Sequence, residues 1–296
     1  MRENAHKAED AAAARKRPPR VFLVGTDTDC GKTTLACALL RAGARAGLRV
    51  LPFKPAASGA PGPEGDPERL AAASDLGVTA AEICPLRYAE PLAPGIAADR
   101  GAFLRGGMID DGLKDRVEET EPFKQVERAL GALEARIGPD VTLIEGAGGL
   151  WVPMPGGTWL PGWIAGLGAA SVVVGRLGLG AINHALLTIF ALRRLGLPPR
   201  GFFLVDTRGE DDPAKAENPG IVAQASGVPC LGVLPHGEAR EGWLAAGGWE
   251  RMFEEAGSEQ EADEEARAEE AQSRCLDARN RPACECADQR GGYTSG

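Results

Sequence analysis

Six short stretches of this chain are almost continuously apolar: 21–25, 49–53, 141–145, 171–175, 201–205 and 230–234. Strands covered by helices on both faces read this way, without the alternation of a half-exposed sheet. Between them, apolar positions recur at helical spacing and predict helices over 32–46, about 123–136, 182–195 and 219–226. Strand and helix alternate, which predicts an α/β fold with a doubly wound, mostly parallel sheet in a single domain. Sheets of that kind bind ligands beyond the carboxyl ends of their strands. The polar residues of interest cluster at those ends, and no internal repeat is visible.

Texture divides the chain into three parts. Residues 1–19 form a polar leader ending in Arg15-Lys16-Arg17 and Pro18-Pro19, read as a disordered, solvated arm. Residues 20–240 carry the globular signal. Residues 241–296 are acidic and then rich in Gly, Ser and Arg, read as disordered or partly helical and adding little to the core. Truncation after about residue 240 is therefore expected to leave an active, soluble protein. The net charge of −9 narrows nothing further, because nine acids between Glu254 and Glu270 face the single base Arg267 and leave the rest near neutral.

No basic patch with interleaved aromatics points to nucleic acid. No apolar run approaches the ~20 residues of a membrane span, and the first twenty residues lack the apolar core of a secretory signal. Seven Cys at irregular spacing give no disulfide framework and suit a reducing cytoplasm. Cys275, Cys284 and Cys286 lack a CxxC pair and are not read as a metal site.

The sharpest motif is Gly25-Thr26-Asp27-Thr28-Asp29-Cys30-Gly31-Lys32-Thr33-Thr34, which leaves a predicted strand and opens a predicted helix. That is the setting of a P-loop, whose backbone N–H groups and helix N-terminus cradle phosphate oxygens. Lys32 would reach the outer phosphates and the Thr33 hydroxyl would ligate Mg²⁺. The spacer from Gly25 to Gly31 is one residue longer than the usual pattern. The plain alternative is a strand-to-helix turn.

Lys54 ends the second predicted strand, in Lys54-Pro55-Ala56-Ala57-Ser58-Gly59, and beside a phosphate site it could stabilise developing charge; alone it would read as a surface cation. Glu145 ends the third strand before Gly146-Ala147-Gly148-Gly149, as a metal-binding acid or as a helix cap. By itself Asp66 is an ordinary loop acid. His184 is expected to be packed, and Trp151, Trp159 and Trp163 to serve core or lid packing.

These motifs, with Tyr88-Ala89-Glu90-Pro91 and Gly178-Leu179-Gly180-Ala181-Ile182-Asn183-His184, together resemble the dethiobiotin synthetases over roughly residues 20–236. The long P-loop spacer is itself a feature of that family. The resemblance implies a P-loop NTPase-like fold and an ATP-dependent cyclo-ligase, acting on 7,8-diaminopelargonate, CO₂ and ATP in biotin biosynthesis, with Mg²⁺ and in a homodimer. It implies a metal site at Thr33, Asp66 and Glu145, and a triphosphate loop from Asp29 through Thr34. Thr28, Lys32, Lys54 and Ser58 match residues around the reacting carbamate and phosphate. Gly148 and Asn183 match the seat of the substrate carboxylate, across the dimer interface.

The nucleotide would also touch Gly146, Ala147, Val205, Asp206, Pro235 and His236. One departure stands out: many members have Asn-Asp where this chain has Val205-Asp206. Two other readings remain at this stage. One is a different P-loop ATP-dependent ligase of cofactor biosynthesis, such as a cobalamin-type amidotransferase synthase, which needs a glutaminase domain that 241–296 is too short to hold. The other is a partitioning-type switch ATPase, which carries an extra Lys early in its loop where 26–30 has none.

Overall fold

Each of the six apolar runs forms a strand, and all six join one sheet. In the computed structural model, which describes residues 17–59, 62–101, 117–237, 242–245 and 247–253, the strands are β1 (Arg20–Gly25), β2 (Val50–Phe53), β3 (Ala56–Ser58), β4 (Leu86–Tyr88), β5 (Val141–Gly149), β6 (Pro153–Met154), β7 (Thr158–Trp159), β8 (Ala170–Arg176), β9 (Phe202–Val205) and β10 (Cys230–Leu234). The main sheet has the order β10-β9-β8-β1-β5-β2, and every neighbouring pair is parallel. Two short pairs were not foreseen: β3 with β4, parallel, and β6 with β7, antiparallel.

The chain runs from β1 to the edge strand β2, returns to β5 beside β1, and then crosses to β8 on the other side of β1. This reversal makes the carboxyl end of β1 the topological switch point, where open α/β sheets leave a crevice for ligands. Every residue of β1, β2 and β9 is buried, as expected of strands covered on both faces. Pro52 is tolerated inside β2 because that strand pairs only with β5 and its other edge needs no ladder donor.

The helices are α1 (Lys32–Arg45), α2 (Asp66–Ala73), α3 (Ala80–Ile83), α4 (Pro94–Ala98), α5 (Glu121–Ile137), α6 (Leu160–Gly166), α7 (Ala181–Arg194), α8 (Ala214–Ser226) and α9 (Gly248–Phe253). In α5 the stripe Phe123, Val126, Leu130, Leu133 is buried, Thr120 accepts a hydrogen bond from the Phe123 N–H, and Gly138 at φ 60 ends the helix. Glu134 of that helix reaches the amino end of β1. There it takes both Nε and Nη2 of Arg20, at 2.8 and 2.7 Å, while Thr142 donates to it at 2.9 Å.

Helix α8 corrects the reading over 219–226: it starts at Ala214, and Pro219 lies inside it. The Asp212 carboxylate accepts the Ala214 N–H at 2.9 Å, so the cap falls well upstream of the proline.

A second correction concerns the end of the folded region. The compact unit ends at Phe253, not near 240. Residues 243–245 lie along β10, with the Val233 N–H donating to Trp243 O at 3.1 Å and the Ala245 N–H to Leu231 O at 2.8 Å. Trp243 and Met252 are buried, and Trp249 and Phe253 pack on the core. Trp249, Met252 and Phe253 keep helical spacing over only a single short helix and Trp243 stands outside it, too little pattern to read from the sequence. Cutting the chain after residue 240 is now expected to lower unfolding free energy by at least about 3 kcal/mol, since burying one Trp is of that order. Ending it at Phe253 keeps these contacts. Urea denaturation of the two truncations, read by tryptophan fluorescence, checks the difference. The leader through residue 16, and the segment from 254 with its acids and Cys275, Cys284 and Cys286, lie outside the described residues.

Candidate active site

The turn between β1 and α1 is tightly built. Asp29 (φ 55) and Gly31 (φ 95) take left-handed backbone, which reverses the chain into the helix. The Thr26 N–H extends the β8 pairing by donating to Val174 O at 2.9 Å, and Asp27 Oδ1 accepts the Thr28 N–H at 2.7 Å. Intrahelical bonding begins only with Leu35, whose N–H donates to Gly31 O at 2.9 Å. The first-turn N–H groups of α1 therefore lack helical acceptors and face the loop. The Lys32 ammonium curls back onto Asp27 O at 3.0 Å.

Opposite this loop three oxygen-bearing side chains converge. Thr33 Oγ1 lies 2.9 Å from Asp66 Oδ1 and 2.7 Å from Glu145 Oε1. Lys54 Nζ lies 2.7 Å from the same Glu145 oxygen and 2.9 Å from Asp66 Oδ2. Each arrives from a different element: Thr33 from the first turn of α1, Lys54 from the end of β2, Asp66 from the start of α2 and Glu145 from within β5. Lys54 and Glu145 are almost wholly buried.

Burial alone would push the Lys54 pKa down, but Glu145 and Asp66 outweigh it and the net shift is upward. For Asp66, burial works upward, yet the charge and hydrogen bond of Lys54 and the Thr33 hydroxyl hold its carboxyl below the usual range. Glu145 Oε2 is buried with no hydrogen-bond partner. A hydroxyl and two carboxylates, one of them with an orphaned oxygen, are hard oxygen donors of the kind Mg²⁺ takes together with substrate phosphates, so these residues fit that ion. Among the described residues no group of three His, Cys, Asp or Glu offers an alternative metal site.

A cleft of about 740 Å³ runs across the carboxyl ends of the strands. Thr28, Asp29, Gly31, Lys32, Thr33, Thr34, Lys54, Ser58, Asp66, Glu145, Gly146, Ala147, Gly148, Val205, Asp206, Pro235 and His236 all line it. Ser58 is brought there by β3, the unforeseen strand after Lys54-Pro55.

Cys30 and Asn183 do not line the cleft. The Cys30 thiol turns inward to Val174 O at 3.2 Å, leaving only its backbone to the loop. Asn183 is exposed on α7, as is His184, which corrects the expectation that the histidine is packed. Leu187 and Phe190 of the same helix are exposed too, and Leu179 just before it is 83% exposed. Of the three tryptophans only Trp163 is fully buried, its indole donating to Thr158 Oγ1 at 2.8 Å; Trp151 meets Trp159 edge-on and is 40% exposed.

Sequence reasoning missed Arg69 and Thr207, which also line the cleft. Arg69 donates to Thr34 Oγ1 at 3.1 Å. It follows Asp66 by three positions on α2, the spacing that puts two side chains on one helix face, and that was the available signal. At the far end of the cleft, the buried Val205 side chain packs against Gly31, where an added Cβ would come within 2.6 Å of it. Asp206 is fully engaged: Lys215 lies 2.8 Å from it, and it accepts the N–H groups of Arg208 and Gly209 at 3.3 and 2.9 Å.

Residues 19–241 match a family model described as an AAA domain. The ATP-dependent dethiobiotin synthetase BioD of Anaeromyxobacter sp. (strain K) is 40% identical over 216 residues, covering 73% of this chain and 89% of that protein. The chain belongs to the dethiobiotin synthetase family. The BioD proteins of Nitrosospira multiformis (37% identity, 73% of this chain, 87% of that one) and Bacillus cereus strain G9842 (34%, 72% and 82%) align over the same length. Among solved structures, the signal recognition particle receptor FtsY from Elizabethkingia anophelis aligns with a TM-score of 0.47 at 13% identity, over 81% of this chain and 67% of that one.

Proposed function

We propose that this enzyme makes dethiobiotin from 7,8-diaminopelargonate, CO₂ and ATP. Family membership supports the ATP-dependent synthesis. The observation that carries the chemistry is the meeting of the P-loop Lys32 with a second, buried lysine, Lys54, and two carboxylates in one cleft. One substrate amine adds to CO₂ and loses a proton, giving a carbamate. A carbamate oxygen attacks the γ-phosphorus, and ADP leaves. The second amine then attacks the carbonyl carbon of the mixed anhydride, closing the ureido ring and expelling phosphate.

Thr28 and Ser58 orient the amines and the carbamate, and the α1 first turn with Lys32 holds the triphosphate. Lys54 stabilises the charge on the transferring phosphoryl group, in a reaction that needs positioning and positive charge more than covalent help. Thr33, Asp66 and Glu145 would hold Mg²⁺, which when bound neutralises charge on the phosphate oxygens.

Gly148 lies at the cleft, but Asn183 is turned to the outside on an apolar helix face. That division suits a homodimer in which Asn183 of one protomer meets the carboxylate of a substrate held by the other. The four free cysteines among the described residues suit the cytoplasm. Phosphate release from ATP is expected to require diaminopelargonate and bicarbonate together; release without either sinks this reading and favours a switch ATPase.

Base selection is expected to be loose. Val205 offers neither donor nor acceptor, and Asp206 is already committed to Lys215 and two backbone N–H groups. A surface without polar groups to leave unpaired rejects analogues weakly. The kcat/KM values for ATP, CTP and GTP should fall within roughly tenfold, about 1.4 kcal/mol. Preference for ATP above about a thousandfold (~4 kcal/mol) contradicts this, while Val205→Asn should sharpen the choice.

A further inference from the structure

The Lys54 ammonium sits between the two carboxylates proposed above to hold a metal ion. It bridges Asp66 and Glu145 at 2.9 and 2.7 Å, and both carboxylates also meet the Thr33 hydroxyl at 2.9 and 2.7 Å. Two of the three candidate metal ligands thus hold an amine, and the third bonds to both of them. An ion bonded to the oxygens that Lys54 now contacts would lie ~2.0–2.1 Å from them. The two cations would then stand side by side with only those carboxylates between them. Lys54 offsets part of the negative charge of the two carboxylates that would otherwise draw a free divalent ion. Glu145 Oε2 is left without a partner.

We propose that Lys54 is a tethered counter-ion that keeps the metal position closed until a nucleoside triphosphate enters, so that the metal loads with the nucleotide and not before it. The polyphosphate brings the negative charge that draws the ammonium off Asp66 and Glu145. Thr33, Asp66 and Glu145 would then be free to hold the ion, and Lys54 turns to the phosphate. One movement therefore seats the metal and delivers a cation to the group about to be transferred. The inference rests on the metal assignment made above.

The test is a Mn²⁺ titration of the full-length protein, with protein-bound ion obtained from the loss of the free Mn²⁺ electron paramagnetic resonance signal after subtracting the share that the analogue chelates in a protein-free titration. In the unmodified protein, Mn²⁺ affinity should rise by about 10–100-fold when a non-hydrolysable ATP analogue is added, the size of a normal coupling between sites. Without nucleotide, Lys54→Met should bind Mn²⁺ at least about tenfold more tightly than the unmodified protein, and Lys54→Arg, which keeps a cation, should not. Adding Glu145→Gln to Lys54→Met should remove the gain, placing the ion at this site.

Equal Mn²⁺ affinity with and without the analogue overturns the proposal. So does a folded Lys54→Met that binds no more tightly than the unmodified protein. Should Lys54→Met lose its near-ultraviolet circular dichroism, the comparison with and without analogue in the unmodified protein still decides. Absence of Mn²⁺ binding even with the analogue overturns the underlying metal assignment instead.

Discussion

Lys54→Ala is expected to lower kcat for dethiobiotin formation by about 10²–10³-fold, the usual cost of removing one preorganised group that meets transition-state charge. The ground for so large a loss is where the ammonium lies. It is 2% exposed, at the end of β2, held by two carboxylates and away from water. A charge in such a place is screened far less than one at the surface, and once turned to the bound phosphate it is already in position when charge builds on the phosphoryl oxygens. The first turn of α1 and Lys32 hold the triphosphate without it, so KM for ATP should move by no more than about threefold. Steady-state kinetics at saturating diaminopelargonate and bicarbonate separate the two constants. A change confined to KM for ATP means that Lys54 serves binding alone, and the role given to it is then wrong. Glu145→Gln should instead raise the Mg²⁺ concentration needed for half-maximal rate, because it weakens a ligand and leaves the lysine in place.

Much of this arrangement was legible before any coordinates. The six strands announced themselves because a parallel strand has no solvent face and so no polar positions to interrupt it. The P-loop was legible because a Gly-Lys-Thr-Thr opening after an apolar run has few other uses. Lys54, Asp66 and Glu145 are a different case. They are 12 and 79 residues apart along the chain, and nothing local says that they meet. Resemblance to a family paired them, and the sheet order, with β5 between β1 and β2, explains how they come together.

What stayed hidden was of two kinds. Short elements such as β3 and the segment around Trp243 carry too few residues to show a period, and they are fixed by the neighbours they pack on. Side-chain direction is also absent from a motif: Cys30 belongs to the loop by spacing, yet its thiol faces the core. In α8 the apolar spacing reached back only to 219, while the helix begins at Ala214, whose N–H the Asp212 carboxylate accepts.

Gly25→Ala should weaken nucleotide binding severely, where the same exchange at Gly131 should be harmless. At the end of β1 an added methyl group would come 2.5 Å from Gly148 O, 2.6 Å from Lys32 Nζ and 2.9 Å from Asp27 O. Two of those three atoms are backbone. They belong to the two loops that form the cleft, one after β1 and one ending β5, so relief requires the loops to part. Crowding of that kind in a packed region costs about 1–3 kcal/mol in stability.

The larger effect is on function, since displacing the Lys32 ammonium and the backbone that faces the phosphates removes contacts made in concert. Affinity for ATP is expected to fall by at least about a hundredfold, or ~2.7 kcal/mol, measured by calorimetry on protein shown to be folded. Gly131 lies on the exposed side of α5 with nothing within 4 Å of the added carbon. Alanine there should raise stability by up to about 1 kcal/mol, because it removes backbone freedom from the unfolded chain and favours the helix. ATP affinity within about threefold of the unmodified protein for Gly25→Ala would show that the two loops can yield independently, and the close contact at the end of β1 would then be packing and nothing more.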